Sequence, residues 1–141
     1  MTAASSFNER EAEACYVARL IEDGRTYWVA GGGGPMYAVL LAQRMGYAPN
    51  AQYITEDGAI APEPMLPFDP IQTMVSSRAG YRALQWGTMN TAQDYAALGL
   101  IDYGILNTLQ VDTHGNINST FLGDYPDRGR RFGGPGGADS I

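Results

Sequence analysis

The chain has 141 residues, 45% of them hydrophobic, enough for one domain with a real core and too apolar for disorder along its whole length. Nine arginines, no lysine, fifteen acidic residues and one histidine leave a formal charge of -6, so the sequence-blind attraction to phosphate backbones that nucleic-acid binders rely on is missing. The absence of lysine also excludes Schiff-base catalysis and the lysine of a phosphate loop.

A single cysteine, Cys15, can form neither an internal disulfide nor a multi-thiolate zinc site, which favours a reducing, cytoplasmic setting. No basic segment followed by an apolar run opens the chain, and no apolar stretch approaches the roughly 20 residues that span a bilayer. No membrane association is expected.

Ser6-Phe7-Asn8-Glu9 has the Ser-x-x-Glu spacing of a capping box and predicts a helix with Ala12, Tyr16, Ala18, Leu20 and Ile21 on its apolar face, stopped by Gly24. Arg25 to Ala30 is a short β-prone segment leading into Gly31-Gly32-Gly33-Gly34-Pro35, and Met36 to Met45 then has helical spacing. Ala51 to Ile54 reads as a second strand, and Glu56-Asp57-Gly58 as a turn at its end. This alternation of strands and helices points to an α/β domain with an open, mostly parallel sheet.

Four prolines between Ala61 and Pro70 forbid a helix or central strand there and predict a loop or lid. Ile71 to Arg82 is ambiguous. Thr91 to Leu98 suits a short helix capped by Asn90, Thr91 or Asp94, Tyr103 to Val111 a buried strand, and Asp112 to Asn116 a turn. The C-terminal stretch from Arg128 is dense in glycine. No internal repeat or domain boundary is evident, so residues 1–141 are read as one domain.

The glycine run could cradle a phosphate at a helix N-terminus or could be a tight connection without a ligand; it lacks the spaced Gly-x-Gly-x-x-Gly pattern. His114 reads as a turn residue and Cys15 as a small buried apolar one. One histidine and one cysteine are a poor zinc donor set, so no metal is expected. Carboxylates are left as the chemically interesting groups, with the Glu56-Asp57 pair either a solvated turn or a carboxylate held against a substrate.

Glu56-Asp57-Gly58-Ala59-Ile60 is similar to the Glu-Asn/Ser-Gly-aliphatic signature of family I coenzyme A transferases. Gly31 to Pro35 followed by Met36-Tyr37-Ala38-Val39 resembles that family's Gly-x-Gly-x-Pro turn into a helix. Gln110-Val111-Asp112-Thr113-His114-Gly115-Asn116-Ile117-Asn118 resembles the Gln-Val/Ile-Asp-x-x-Gly-Asn-x-Asn segment of its β subunits. Leu122-Gly123-Asp124-Tyr125 and Gly133-Gly134-Pro135-Gly136-Gly137-Ala138 follow two further segments of the glutaconate-type subunit.

The resemblance implies a CoA-transferase-like, NagB/RpiA-type fold, with residues 1–141 forming a single β-type domain that matches the N-terminal portion of a family β subunit. It implies an α-type partner subunit and, where the rest of the β subunit is a separate chain, that C-terminal chain as well. Coenzyme A and acyl-CoA enter as substrates, with no tightly bound cofactor. By resemblance Glu56 is the nucleophile, backbone amides of Gly136 and Gly137 are oxyanion donors, and Gly31, Gly33, Gln110, Asn116, Gly134 and Ala138 bind substrate or coenzyme A. A glutamate with an ordinary pKa of about 4.3 is ionised at neutral pH and needs no general base, and the 61–70 loop is a candidate for part of the enclosure that excludes water. The alternatives are hydrolysis or decarboxylation of CoA thioesters on the same scaffold, or a non-catalytic fragment that binds a partner.

Overall fold

The computed structural model describes residues 6–29, 33–65, 77–124, 129–132, 134 and 136. The first helix, α1, spans Glu9–Ala18 and is capped by Asn8, not Ser6. The Glu11 N–H donates to Asn8 Oδ1 and the Asn8 N–H to Glu11 Oε2, both at 2.9 Å, so the reciprocal box falls two residues after the one expected from Ser6 and Glu9. The helix ends well before Gly24. Ala18 and Ile21 are buried as expected, whereas Tyr16 and Leu20 are exposed.

Strand β1 (Thr26–Val29) leads to α2 (Gly34–Met45), whose N-cap is Gly33 and whose first turn holds Pro35. Gly46 closes α2 with φ 74°, and the Tyr47 N–H reaches back to the Ala42 carbonyl at 2.9 Å, a left-handed helix end that glycine accepts without strain. Strand β2 (Gln52–Thr55) follows, then β3 (Ala59–Ile60), β4 (Gln85–Trp86), α3 (Met89–Ala97, N-capped by Thr88) and β5 (Tyr103–Ile105). The central sheet has the order β4-β3-β2-β1-β5. Strands β2, β1 and β5 run parallel, with Val29 paired to both Thr55 and Ile105; β3 and β4 are antiparallel additions. The short β3 and β4 carry no hydrophobic alternation long enough to reveal them in the sequence.

Alternation along the strands sorts the core into two layers. Tyr27, Val29 and Tyr53 face α1 and α2, where Ala18, Met36, Val39 and Ala42 complete a buried cluster. Trp28 and Ile54 face the other way and meet Ala92 of α3. Fully burying a side chain such as Val29, Ile54 or Met36 contributes about 1.5–3 kcal/mol each, so these strands are held from both sides. No helix among the described residues is long and apolar enough to cross a membrane.

The expected buried strand from Tyr103 to Val111 is corrected. It divides into β5 and a separate strand β6 (Gln110–Val111), which forms a hairpin with β7 (Ile117–Asn118), and none of these residues is buried. Strands β8 (Phe121–Leu122) and β9 (Arg130–Arg131) form another small ladder. Cys15 is also exposed, not buried. Residues 61–65 lie in no helix or strand, as their prolines require; residues 66–76, including the second half of the proline loop, lie outside the described set.

The start of β5 is tied to β1 by Asp102, which accepts the Thr26 N–H at 2.8 Å and an Arg25 guanidinium N–H at 3.0 Å. The Thr26 bond, reinforced by Arg25, holds the Asp102 carboxyl below the ordinary carboxylate range. The unfolded chain, with a carboxyl pKa of about 3.9, therefore binds this proton more readily than the folded one. Asp102 accordingly supports the fold in full above about pH 4 and loses that contribution as pH falls through its lower folded value. Asp102→Asn is expected to flatten the acid limb of stability measured by urea unfolding between about pH 2 and 5, without moving the neutral plateau as strongly as a core substitution.

Candidate functional site

Because β1, β2 and β5 are parallel and in register at Val29, Thr55 and Ile105, the chain leaves all three at one edge of the sheet. The connection to Gly33 leaves from β1, the Glu56 turn from β2, and residues 106–109, which lead to the β6–β7 hairpin, from β5. Carboxyl ends of strands are where open α/β sheets usually place ligands.

The turn after β2 is built from Thr55, Glu56, Asp57 and Gly58, closed by the Gly58 N–H donating to the Thr55 carbonyl at 3.0 Å. Glu56 and Asp57 are its two central residues, and Gly58 is the fourth, a favoured place for glycine. Thr55 has no exposed surface. Its hydroxyl donates to an Asp57 carboxylate oxygen and accepts the Ala59 N–H at 3.1 Å. Asp57 is thus half-buried and bonded, and it fixes the turn from which Glu56 projects.

Gly58 locks the same turn from its other side. It has φ 91°, its carbonyl accepts the Gly87 N–H at 2.8 Å, and a Cβ there would stand 2.5 Å from the Thr88 carbonyl oxygen. Both the backbone conformation and the space exclude a side chain. Glu56 itself is half-buried, and burial first, then the neighbouring Asp57 charge, raise its pKa above the ordinary value. A carboxylate held in this way is more basic than a solvated one.

The other residues singled out in the sequence divide into groups. Gly33 stands at the helix N-terminus that follows β1, at the same sheet edge as Glu56. Gln110 and Asn116 lie together in the β6–β7 hairpin and line a concavity of about 380 Å³ with Asp112, Ile117 and neighbouring residues. Their amides are engaged there: Asn118 Nδ2 donates to Gln110 Oε1 at 2.8 Å, and Asn116 Nδ2 donates to Asp112 Oδ2 at 2.7 Å. The Gly134 N–H donates to the Ser119 carbonyl at 3.0 Å, and Gly136 is exposed with φ 44°. Gly31, Gly137 and Ala138 lie outside the described residues. A broader open cavity of about 1300 Å³, lined by residues such as Tyr37, Leu41, Tyr53, Pro62 and Leu84, does not include Glu56.

Thr55 and Asp57 are the supporting residues that sequence reasoning missed. A threonine ending a β-prone run is unremarkable in a sequence, and only the observed turn shows that its hydroxyl meets the next carboxylate but one. Gly58→Ala is expected to destabilise the fold by about 3 kcal/mol in denaturant unfolding, because strain at positive φ adds to a backbone clash. An unchanged midpoint would contradict this geometry.

No family model matches the chain. It is 26% identical to the B-type subunit of glutaconate CoA-transferase from Acidaminococcus fermentans over 97% of its own length and 52% of that protein's. It is 32% identical to the B-type subunit of 3-oxoadipate CoA-transferase from Pseudomonas knackmussii, over 97% of its own length and 51% of that protein's. The solved glutaconate coenzyme A-transferase of A. fermentans superposes with a TM-score of 0.81 over 99% of this chain and 54% of that one, at 26% identity. The decarboxylase AibA/AibB, at 24% identity and a TM-score of 0.72, shares the fold. Over nearly its whole length the chain is therefore a homologue of the B-type subunits of CoA-transferases, and it spans about half of theirs.

Proposed function

We propose that this chain is the nucleophile-bearing part of a CoA-transferase that works with an α-type partner and moves coenzyme A between an acyl-CoA and a carboxylic acid. The observation that carries the reading is Glu56: a half-buried carboxylate of raised basicity, fixed by Thr55, Asp57 and Gly58 at the carboxyl edge of the sheet, in a chain homologous to the B-type subunits of CoA-transferases. Glutaconate and 3-oxoadipate, named for the two relatives, are both dicarboxylic acids, which favours a short dicarboxylic acid or its CoA thioester as one of the substrates.

Transfer without loss of activation needs an intermediate no more stable than a thioester, and an ester of serine would not serve. A Glu56 carboxylate oxygen attacks the thioester carbonyl, the C–S bond breaks, and a mixed anhydride and coenzyme A thiolate result. The thiolate attacks the glutamyl carbonyl, releasing the first acid and leaving a glutamyl thioester. The second acid attacks that thioester to give a new anhydride and free thiolate, which takes the new acyl group and restores Glu56. This is ping-pong covalent catalysis.

Each attack places negative charge on a carbonyl oxygen, and a well-placed backbone donor stabilises such an oxyanion by roughly 3 kcal/mol. Gly136 and Gly137 are the proposed donors, while Gly31, Gly33, Gly134 and Ala138 are proposed to lie along coenzyme A. Gln110 and Asn116, whose amides are bonded within the hairpin, contribute by shaping it.

The test is covalent trapping. The complex reconstituted with an α-type partner, incubated with an acyl-CoA and reduced with borohydride, is expected to carry its modification on the peptide containing Glu56. Glu56→Ala should lose the modification and about four orders of magnitude or more in kcat; turnover surviving that substitution would sink the nucleophile assignment and favour hydrolysis or decarboxylation. Asp57→Asn keeps a hydrogen-bond acceptor for Thr55 but removes the second cause of the raised Glu56 pKa. The Glu56 carboxyl should therefore titrate at lower pH in that variant, as followed by carbon NMR, while remaining above the ordinary value because burial persists.

A further inference from the structure

The Glu56 turn is held from within by Thr55 and Asp57, but Gly58 also rests against the start of α3. Its carbonyl accepts the Gly87 N–H at 2.8 Å, and the Thr88 backbone fills the place of its missing Cβ, with the carbonyl oxygen 2.5 Å and the nitrogen 2.6 Å from that position. Gly87 and Thr88 are therefore the wall against which the turn is set. What fixes that wall is Thr91. Its hydroxyl accepts the Thr88 N–H at 3.0 Å, and its own N–H donates at 2.9 Å to the Thr88 carbonyl, the oxygen that abuts Gly58. Its side chain also lies directly over Gly87, where an added Cβ would collide with Thr91 Oγ1, Cβ and Cγ2. A residue that reaches back to the cap from the third helical position is ordinarily glutamate or glutamine, whose longer side chain spans the gap. Threonine reaches only at close range, and Gly87 leaves the room for it.

Both neighbours of this wall are anchored to the sheet. Ala92, which follows Thr91, has no exposed surface and packs with Trp28 of β1 and Ile54 of β2, the residue before Thr55. Trp86, which precedes Gly87, pairs in the β3–β4 ladder with Ala59, the residue after Gly58. Between these anchors the wall is shaped by Thr91, whose branching at Cβ restricts its χ1 angle. We infer that Thr91 is a positioning residue for Glu56: through Thr88 and Gly87 it fixes Gly58, and through Gly58 the backbone that presents the Glu56 carboxylate. The catalytic meaning of this coupling rests on the reading of Glu56 as a nucleophile, whereas the coupling itself does not, so each has its own measurement.

Thr91→Val keeps the branched shape and removes the acceptor; Thr91→Ser keeps the acceptor and removes the methyl group. Carbon NMR of the folded 141-residue chain follows the Glu56 carboxyl. Burial is the first cause of its raised pKa, and a turn released from its wall admits water, so in Thr91→Val the carboxyl should titrate at lower pH than in the unsubstituted chain. Thr91→Ser should leave that titration in place. A loss of global stability alone would lower the urea midpoint of either variant without moving the titration of the folded chain. In the complex with an α-type partner, Thr91→Val should lower kcat about 10-fold, less than the roughly 100-fold that a 1 Å misplacement can cost, with the KM for acyl-CoA changed less than about twofold. Thr91→Ser should restore kcat. A Glu56 titration that is the same in Thr91→Val would overturn the proposal, as would a loss of kcat that serine fails to restore. An unsubstituted complex without turnover would count instead against the transferase reading, and the titration would still decide the role of Thr91.

Discussion

The parallel register of Val29 with Thr55 on one side and Ile105 on the other is the constraint from which the rest of the molecule follows. It brings three chain exits to one edge of the sheet, and it sets which side chains face which helix. Tyr27, Val29 and Tyr53 fall on the α1 and α2 side, Trp28 and Ile54 on the α3 side. A one-residue slip would exchange these sets and press Trp28 into the pocket shaped for Val29. The same slip would displace Thr55 from its buried position and with it the support of the Glu56 turn. Core packing and site geometry are thus one problem, solved by one register.

The sequence carried the α/β character well because its first half obeys strong local rules. Gly46 and Pro35 bracket α2, and the β-prone runs around Trp28 and Ile54 are short, apolar and separated by a helix. Boundaries followed the usual ambiguity of caps: Asn8 outcompeted Ser6 because Glu11, and not Glu9, reaches back to the cap. The second half was read less well for a physical reason. Apolar residues such as Leu109 and Val111 suggest burial, but pattern alone does not tell whether the covering surface belongs to the same folded unit. The strand expected over Tyr103 to Val111 was therefore too long and too deeply buried.

The site was legible where it depends on residue identity and hidden where it depends on contact. Glu56 and Gly58 stand out by composition and turn chemistry. The Thr55 hydroxyl on Asp57 does not, since serine and threonine form many local bonds in loops without consequence. What makes this one consequential is complete burial of Thr55: its hydroxyl must have partners, and the carboxylate it meets is that of Asp57, which thereby also fixes the turn.

Asp57 therefore acts on Glu56 in two ways that differ in sign. Through Thr55 it fixes the backbone that presents Glu56, which lowers the entropy lost when Glu56 meets an acyl carbonyl. Through its charge it disfavours the ionised form of Glu56, which must be present for attack, while making that form more basic once it exists. A neutral hydrogen-bond acceptor such as asparagine at this position would keep the first effect and lose the second. Burial already raises the Glu56 pKa by itself, and it is the larger cause. The added charge is then a refinement of basicity laid over a geometry that the threonine, the glycine and the strand register have already determined.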